Sequence, residues 1–412
     1  MDFAIYPQTQ IIARSPNSLP IGRAGVGLLF MNWNDLSRYR APLMGFAMLI
    51  VMLFHVPLSR NDLFYGLMRC GNNGVDMFLF LSGIGLWYSW TKKIPLRGND
   101  SSLFTLHSSL ILNFYYRRFL RLYPAWLIIA SLYYIPQYWP NGGGYSPNLF
   151  HLVANILVGW SFWRIDDLTF WFVPAIIVLY LIAPFYMMFI QRNRVWRWLP
   201  LVMILWYLLV RDWPPLWGAV GHVEIFWSRI PVFLLGINAG EWVKTHPLTP
   251  SGETHPLTPS RRDGEGPSKP SQREGFFCAD RLPSLGEGLG VGLIFLLSIW
   301  YCVYIEGHRH GAFPPAAERM VYIPLAVSTM FLMCQVFRHT PSWLLRAFTF
   351  VGGISLEIYL VHVQFVLVYI KSYRLGYWPT FLLLLAISIP LAWMLSRLVG
   401  WLVNKFLPRG EK

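Results

Sequence analysis

Charge is what this chain has least of: 13% of its 412 residues are Asp, Glu, Lys or Arg, against roughly a quarter in an ordinary soluble domain. That is too little to cover a globule of this size with a solvated surface, which excludes a single soluble core. Cysteine is also scarce. Cys70, Cys278, Cys302 and Cys334 form no CxxC and no ligand spacing, so neither a metal site nor a disulfide framework is expected. The N-terminus lacks signal-peptide grammar, because the apolar run 24–31 is too short and no cleavage site follows a proper apolar core. What is present instead is apolar: 55% hydrophobic and 17% aromatic residues, gathered in stretches of bilayer-spanning length. The net charge of +14 does not point to a nucleic-acid partner. Most Lys and Arg sit in short connections between apolar stretches, which is how membrane topology is encoded.

Candidate spans lie near 41–58, 72–90, 117–137, 169–190, 197–212, 225–243, 288–306, 319–337, 349–371 and 378–402. Backbone polar groups at membrane depth must be paired internally, so the spans must be helices. The piece 148–163 is only 16 residues long and contains His151 and Asn155. Letting it cross would turn the clusters Arg192/Arg194/Arg197 and 244–287 outward, against the positive-inside bias. The expected fold is therefore all-α, a polytopic membrane helical bundle of about ten transmembrane helices. One short re-entrant or interfacial segment completes it, and both termini are cytoplasmic. Residues 1–35 read as an N-terminal extension, with Met31 as the expected start. Residues 36–244 and 288–404 form the two parts of the membrane domain, and 405–412 a tail. Between them, 245–287 repeats "THPLTPS" and is rich in Pro, Gly, Ser and charge, a composition that cannot offset ordering entropy.

The first span, "MGFAMLIVMLFHVP", carries His55 near its end. Counting from Arg40 at the inner boundary, roughly 1.5 Å per residue puts His55 about 22 Å into a core of about 30 Å. An ionisable side chain at that depth is costly and normally faces a polar cavity or a partner helix. Asp76, at the start of "GNNGVDMFLFLSG", is placed either to orient an imidazole or simply to end a helix, and Ser82 interrupts the same apolar run. Arg118 and Arg121, three apart in "NFYYRRFLRLYP", share a helix face. They are either topology signals or a phosphate clamp, since guanidinium forks match phosphate oxygens. Glu357 and His362 lie deep in the ninth span.

Six stretches, "LMGFAMLIVMLFH", "GVDMFLFLSG", "YYRRFLRLYP", "TFWFVPAIIVLY", "SRIPVFLLGINAG" and "GGISLEIYLVH", resemble in order the signatures of acyltransferase family 3. The resemblance runs from about residue 36 to 400, outside the 245–290 loop. It implies an integral membrane O-acyltransferase that moves an acyl group, expected to be acetyl, from cytosolic acyl-CoA to a hydroxyl of an extracytoplasmic glycan or glycolipid. That activity belongs to the inner membrane and the cell envelope. By position it implies His55 as the essential histidine and general base, with Asp76 beside it. Arg40, Arg118 and Arg121 then bind the acyl donor, while Ser82, Glu357 and His362 serve the acceptor or support the site. No permanently bound cofactor is implied; acyl-CoA, in particular acetyl-CoA, is a substrate. Met44 stands where the family commonly has an arginine eleven residues before the histidine, and Arg40, one turn earlier on roughly the same face, could serve from the helix entrance. A proton-coupled transporter or glycan exporter using His55, Glu357 and His362 is the alternative. A catalytically inactive partner in a glycan-synthesis complex is a third reading.

Overall fold

The computed structural model describes residues 33–91, 103–139, 146–245, 285–308 and 315–406. The expected extension up to residue 32, most of the low-complexity stretch, and the tail from 407 lie outside the described residues. So do Arg14, Arg23, Lys92, Lys93 and Arg97, among the Lys and Arg that stand between apolar stretches.

No strand occurs among the described residues. The first half of the bundle is built from α1 (Arg40–His55), α2 (Asn73–Thr91), α3 (Leu103–Tyr138), the short α4 (Leu149–Val158) and α5 (Trp160–Ile165), α6 (Phe172–Arg192), α7 (Leu199–Asp212) and α8 (Glu224–Thr245). The second half contains α9 (Leu285–His308), α10 (Tyr322–His339), α11 (Ser342–Gly353), α12 (Ser355–Val361) and α13 (Tyr377–Phe406). Six helical segments are long and apolar enough to cross a bilayer: Leu110–Tyr138, Phe172–Arg192, Pro214–Trp242, Gly290–Gly307, Ser355–Tyr373 and Tyr377–Lys405. The molecule is an all-α polytopic helical bundle. Helices also stand at the other four expected positions, α1, α2, α7 and α10, but they are shorter or less apolar than that standard requires.

Burial separates centre from rim. The segment Pro214–Trp242 buries 67% of its apolar window, whereas Gly290–Gly307 buries 17%. The exposed Leu293, Leu296, Leu297 and Trp300 of α9 suit a lipid-facing position, where apolar surface needs no protein partner. At the centre, α2 and α8 touch through their backbones. A Cβ on Gly83 would sit 2.5 Å from the Phe233 carbonyl oxygen, and one on Gly236 would meet Phe80. Small residues permit such approach where apolar burial gives helices no drive to associate.

The stretch 148–163 divides at Gly159, whose φ of 63° stops α4 and starts α5. Ten residues of α4 rise about 15 Å, half of a bilayer core, so it is too short to cross. Asn148 caps α4 by accepting from the His151 amide at 2.9 Å. One face of α4 exposes Leu149, Phe150, Val153 and Leu157, while Asn155 is buried on the other. The buried Asn155 accepts from the Ser161 amide at 2.7 Å, and Ser161 Oγ in turn donates to Asp167 at 2.8 Å. Asp167 also accepts from the Thr169 amide at 3.0 Å. This polar chain pins the segment 168–171, which forms one wall of the site described next.

Candidate functional site

The sequence "HVP" ends α1 at His55, because Pro57 disfavours helical backbone at Val56, which is extended at ψ 128°. His55 therefore sits at a helix terminus that opens onto a cavity of about 430 Å³. His362 enters the same cavity from a π-helical turn, His362–Leu367, that follows α12. Such widened turns shift the hydrogen-bond ladder by one residue and occur frequently at functional sites.

The two imidazoles meet edge to face, with ring centroids 4.9 Å apart. Their backbone partners assign the tautomers. His55 Nδ1 lies 2.8 Å from the Val51 carbonyl oxygen, and His362 Nδ1 lies 3.0 and 2.9 Å from those of Ile358 and Tyr359. A carbonyl only accepts, so each neutral ring carries its proton on Nδ1. His362 Nε2 then holds a lone pair and accepts a share of the His55 Nδ1–H at 3.3 Å. His55 Nε2 keeps its own lone pair. That orientation is what a general base requires.

Nearer the start of α1, at Met44, lies a narrower, lower cavity of about 80 Å³. Val51, Val75 and Tyr359 wall both, so the two are back to back. The lower cavity is mostly apolar, with Phe78, Leu122, Phe172 and Ile176 among its walls. Arg118, Arg121 and Ser82 are its polar lining toward α2 and α3. Arg118 also donates to Ser89 Oγ at 2.7 Å. Tyr359 accepts a hydrogen bond from the Phe172 amide at 3.2 Å through its hydroxyl oxygen. Its own O–H proton is not used by that bond.

The structure thus brings His55, His362, Ser82, Arg118 and Arg121 to two adjoining cavities. Glu357 is buried nearby and interacts electrostatically with Arg121. Two expected site residues have other partners. Asp76 does not hold the His55 imidazole: its Oδ2 pairs with Arg229 Nη1, and both side chains are almost wholly buried. Arg40 is the second. Its Nε donates to the Leu81 carbonyl at 3.1 Å and its guanidinium lies against Gly85, whereas Met44 itself lines the lower cavity beside Arg118 and Arg121.

Sequence reasoning also missed residues. Arg229 stands inside an expected span, where any ionisable residue is a functional or structural candidate, so that signal was available. Tyr359 lay unremarked within "GGISLEIYLVH". Arg69, Arg211, Glu224, Glu306 and Arg319 line the polar cavity. They come from span ends and connections, where charge is ordinary, and no single-sequence pattern marks them. Among the described residues no group of His, Cys, Asp and Glu could hold a metal ion.

Residues 43–397 match the acyltransferase domain that defines acyltransferase family 3. No curated protein and no solved structure matches the chain.

Proposed function

The chain belongs to acyltransferase family 3, a membrane acyltransferase family, and on that premise we propose that it carries an acetyl group from cytosolic acetyl-CoA to a hydroxyl of an extracytoplasmic glycan or glycolipid. Membership favours acyl transfer over the exporter reading, and the CoA-release assay below separates it from an inactive partner. The observation that carries the proposal is the shared wall of Val51, Val75 and Tyr359. It sets the imidazole of His55 next to a narrow apolar passage with arginines along it. In this reading the inner-membrane bundle has both termini cytoplasmic, and the CoA phosphates rest near Arg118 and Arg121. The pantetheine arm lies along the apolar passage, and the thioester reaches the junction.

The acceptor occupies the polar cavity. Its hydroxyl oxygen attacks the thioester carbonyl while His55 Nε2 takes the proton. The resulting imidazolium is steadied through Nδ1–H by the lone pair of His362. Collapse of the tetrahedral intermediate breaks the C–S bond, and His55 returns the proton to the leaving thiolate. Tyr359, with its hydroxyl oxygen already accepting from Phe172, donates its O–H to the oxyanion.

Membranes containing the protein are expected to release free CoA from acetyl-CoA and to move radiolabelled acetate onto envelope glycan; absence of both refutes the reading. Tyr359→Phe is expected to lower kcat by about 10²–10³, the loss usual for one oxyanion donor, with little change in KM. An unchanged kcat removes Tyr359 from the chemistry. The double substitution Arg118→Gln, Arg121→Gln is expected to raise the acetyl-CoA KM by about tenfold, the equivalent of one lost charge-assisted hydrogen bond. Steady-state kinetics at saturating acceptor would show it, and a pure kcat effect would place those arginines elsewhere in the cycle.

A further inference from the structure

We propose that the polar cavity above His55 is a subsite for an acidic group of the acceptor, a carboxylate or phosphate borne by the sugar that is acylated. The word acceptor rests on the acyltransfer reading; the anion site rests on the geometry alone.

Three guanidinium groups converge there from separate segments: Arg69 of the short helix Tyr65–Arg69, Arg211 at the end of α7, and Arg319 of the short helix Pro315–Met320. Two carboxylates face them, Glu224 and Glu306, so among the described lining residues guanidinium groups outnumber carboxylates by one. The pairings are loose. Arg69 Nε stands 3.5 Å from Glu306, Arg211 Nη1 3.8 Å from Glu224, and Arg319 Nε 3.6 Å from Glu224. Charge-assisted hydrogen bonds close to about 2.7–2.9 Å, and none of these three arginines forms one with any described residue. Where this chain uses ion pairs to join helices, as in Arg229–Asp76, Arg197–Glu241 and Arg338–Asp35, the groups do close into hydrogen bonds.

The carboxylates have other donors. Glu224 already accepts from the Tyr207 hydroxyl at 2.7 Å and Glu306 from that of Tyr322 at 2.8 Å. Each carboxylate thus has a hydroxyl donor on Oε1, whereas buried Arg69 Nε has no hydrogen-bond partner among the described residues. Stacking also holds two of the arginines ready: Arg69 lies 4.3 Å over the Phe54 ring and Arg211 4.4 Å over that of Trp217. Stacking fixes the plane of a guanidinium and leaves its N–H edge for an oxygen pair. Arg69, Arg211 and Arg319 keep 34%, 26% and 31% of their side-chain surface accessible. A neutral sugar could take some of those donors but would leave the excess charge uncompensated in a partly enclosed cavity, where charge is costly. An anionic sugar satisfies both.

The test measures binding to the purified full-length protein in nanodiscs, without acyl donor, by tryptophan fluorescence. Methyl glucuronide and glucose 6-phosphate are compared with methyl glucoside. The charged sugars are expected to bind at least about tenfold tighter, a ratio that one charge-assisted hydrogen bond supplies. Whichever of the two binds more tightly identifies the group as carboxylate or phosphate. Arg319→Gln should reduce the charged sugar to the affinity of methyl glucoside. Glu224→Gln, nearly isosteric, should act in the opposite sense and tighten the charged sugar severalfold while leaving the glucoside unmoved. Equal affinity for all three sugars, or none, overturns the proposal. So does a response of acetyl-CoA binding rather than sugar binding to these substitutions. Because no donor is present, an anion preference without CoA release keeps the subsite and rejects acyl transfer, and the converse result does the reverse.

Discussion

Replacing His55 by alanine is expected to cut acyl transfer by about 10²–10⁴, the range that a positioned general base contributes, while the protein still inserts and purifies as one species. The fold has little stake in this side chain. It is the last residue of α1, partly buried beside the cavity, and its described contacts are the Val51 carbonyl, the Phe54 ring and His362. Removing it leaves a cavity slightly larger and the α1–α2 contact untouched. His55→Gln is the sharper variant, since its amide is nearly as polar as imidazole yet cannot take a proton at neutral pH. Both are read as acetate transferred per membrane-inserted protein, with insertion checked by protease protection. Activity within tenfold of the parent in either variant would mean that another group takes the acceptor proton.

Asp76→Ala is expected to cost about 3–5 kcal/mol of stability, because it leaves the Arg229 guanidinium buried with no counter-charge. The side chains are 1% and 2% accessible, so solvent cannot replace the lost carboxylate. Arg229 reaches one further oxygen, Asn72 Oδ1 at 3.4 Å, too long to compensate. The pair bridges α2 and α8, the helices whose backbones already touch at Gly83 and Gly236. Its loss should therefore loosen the centre of the bundle rather than a rim. Combining Asp76→Ala with Arg229→Met removes both charges and should recover most of the stability, as replacement of whole buried ion pairs often does. Thermal unfolding of the detergent-solubilised variants measures both steps. An Asp76→Ala protein that keeps parental stability but loses acyl transfer would return this carboxylate to the chemistry, where the sequence first suggested it.

How much was legible beforehand depended on the range of the interaction involved. His55 and His362 stood out singly, because an ionisable residue in an apolar run is conspicuous in one dimension. That they face each other is a relation across 307 positions, invisible without the packing of α1 against the segment after α12. Arg118 and Arg121 were legible as a pair because helical spacing puts them on one face, yet their neighbour Met44 comes from another helix. The neighbours of Arg40 were hidden for the same reason. Its position along α1 could be counted, but rotation about the helix axis sets it against Leu81 and Gly85.

Composition and apolar periodicity were enough to establish helices, a bilayer and the short interrupted stretch at 148–163, since these follow from the local rule that backbone polar groups must be paired within each span. Six ordered motifs were enough for the family. The partner of Asp76, the tautomers of the two histidines and the junction at Tyr359 were decided only when the helices packed. So was the gathering of Arg69, Arg211 and Arg319 around one cavity. Each depends on which side of a helix meets which neighbour, and that choice is made by close contact between distant segments rather than by the order of residues along any one of them.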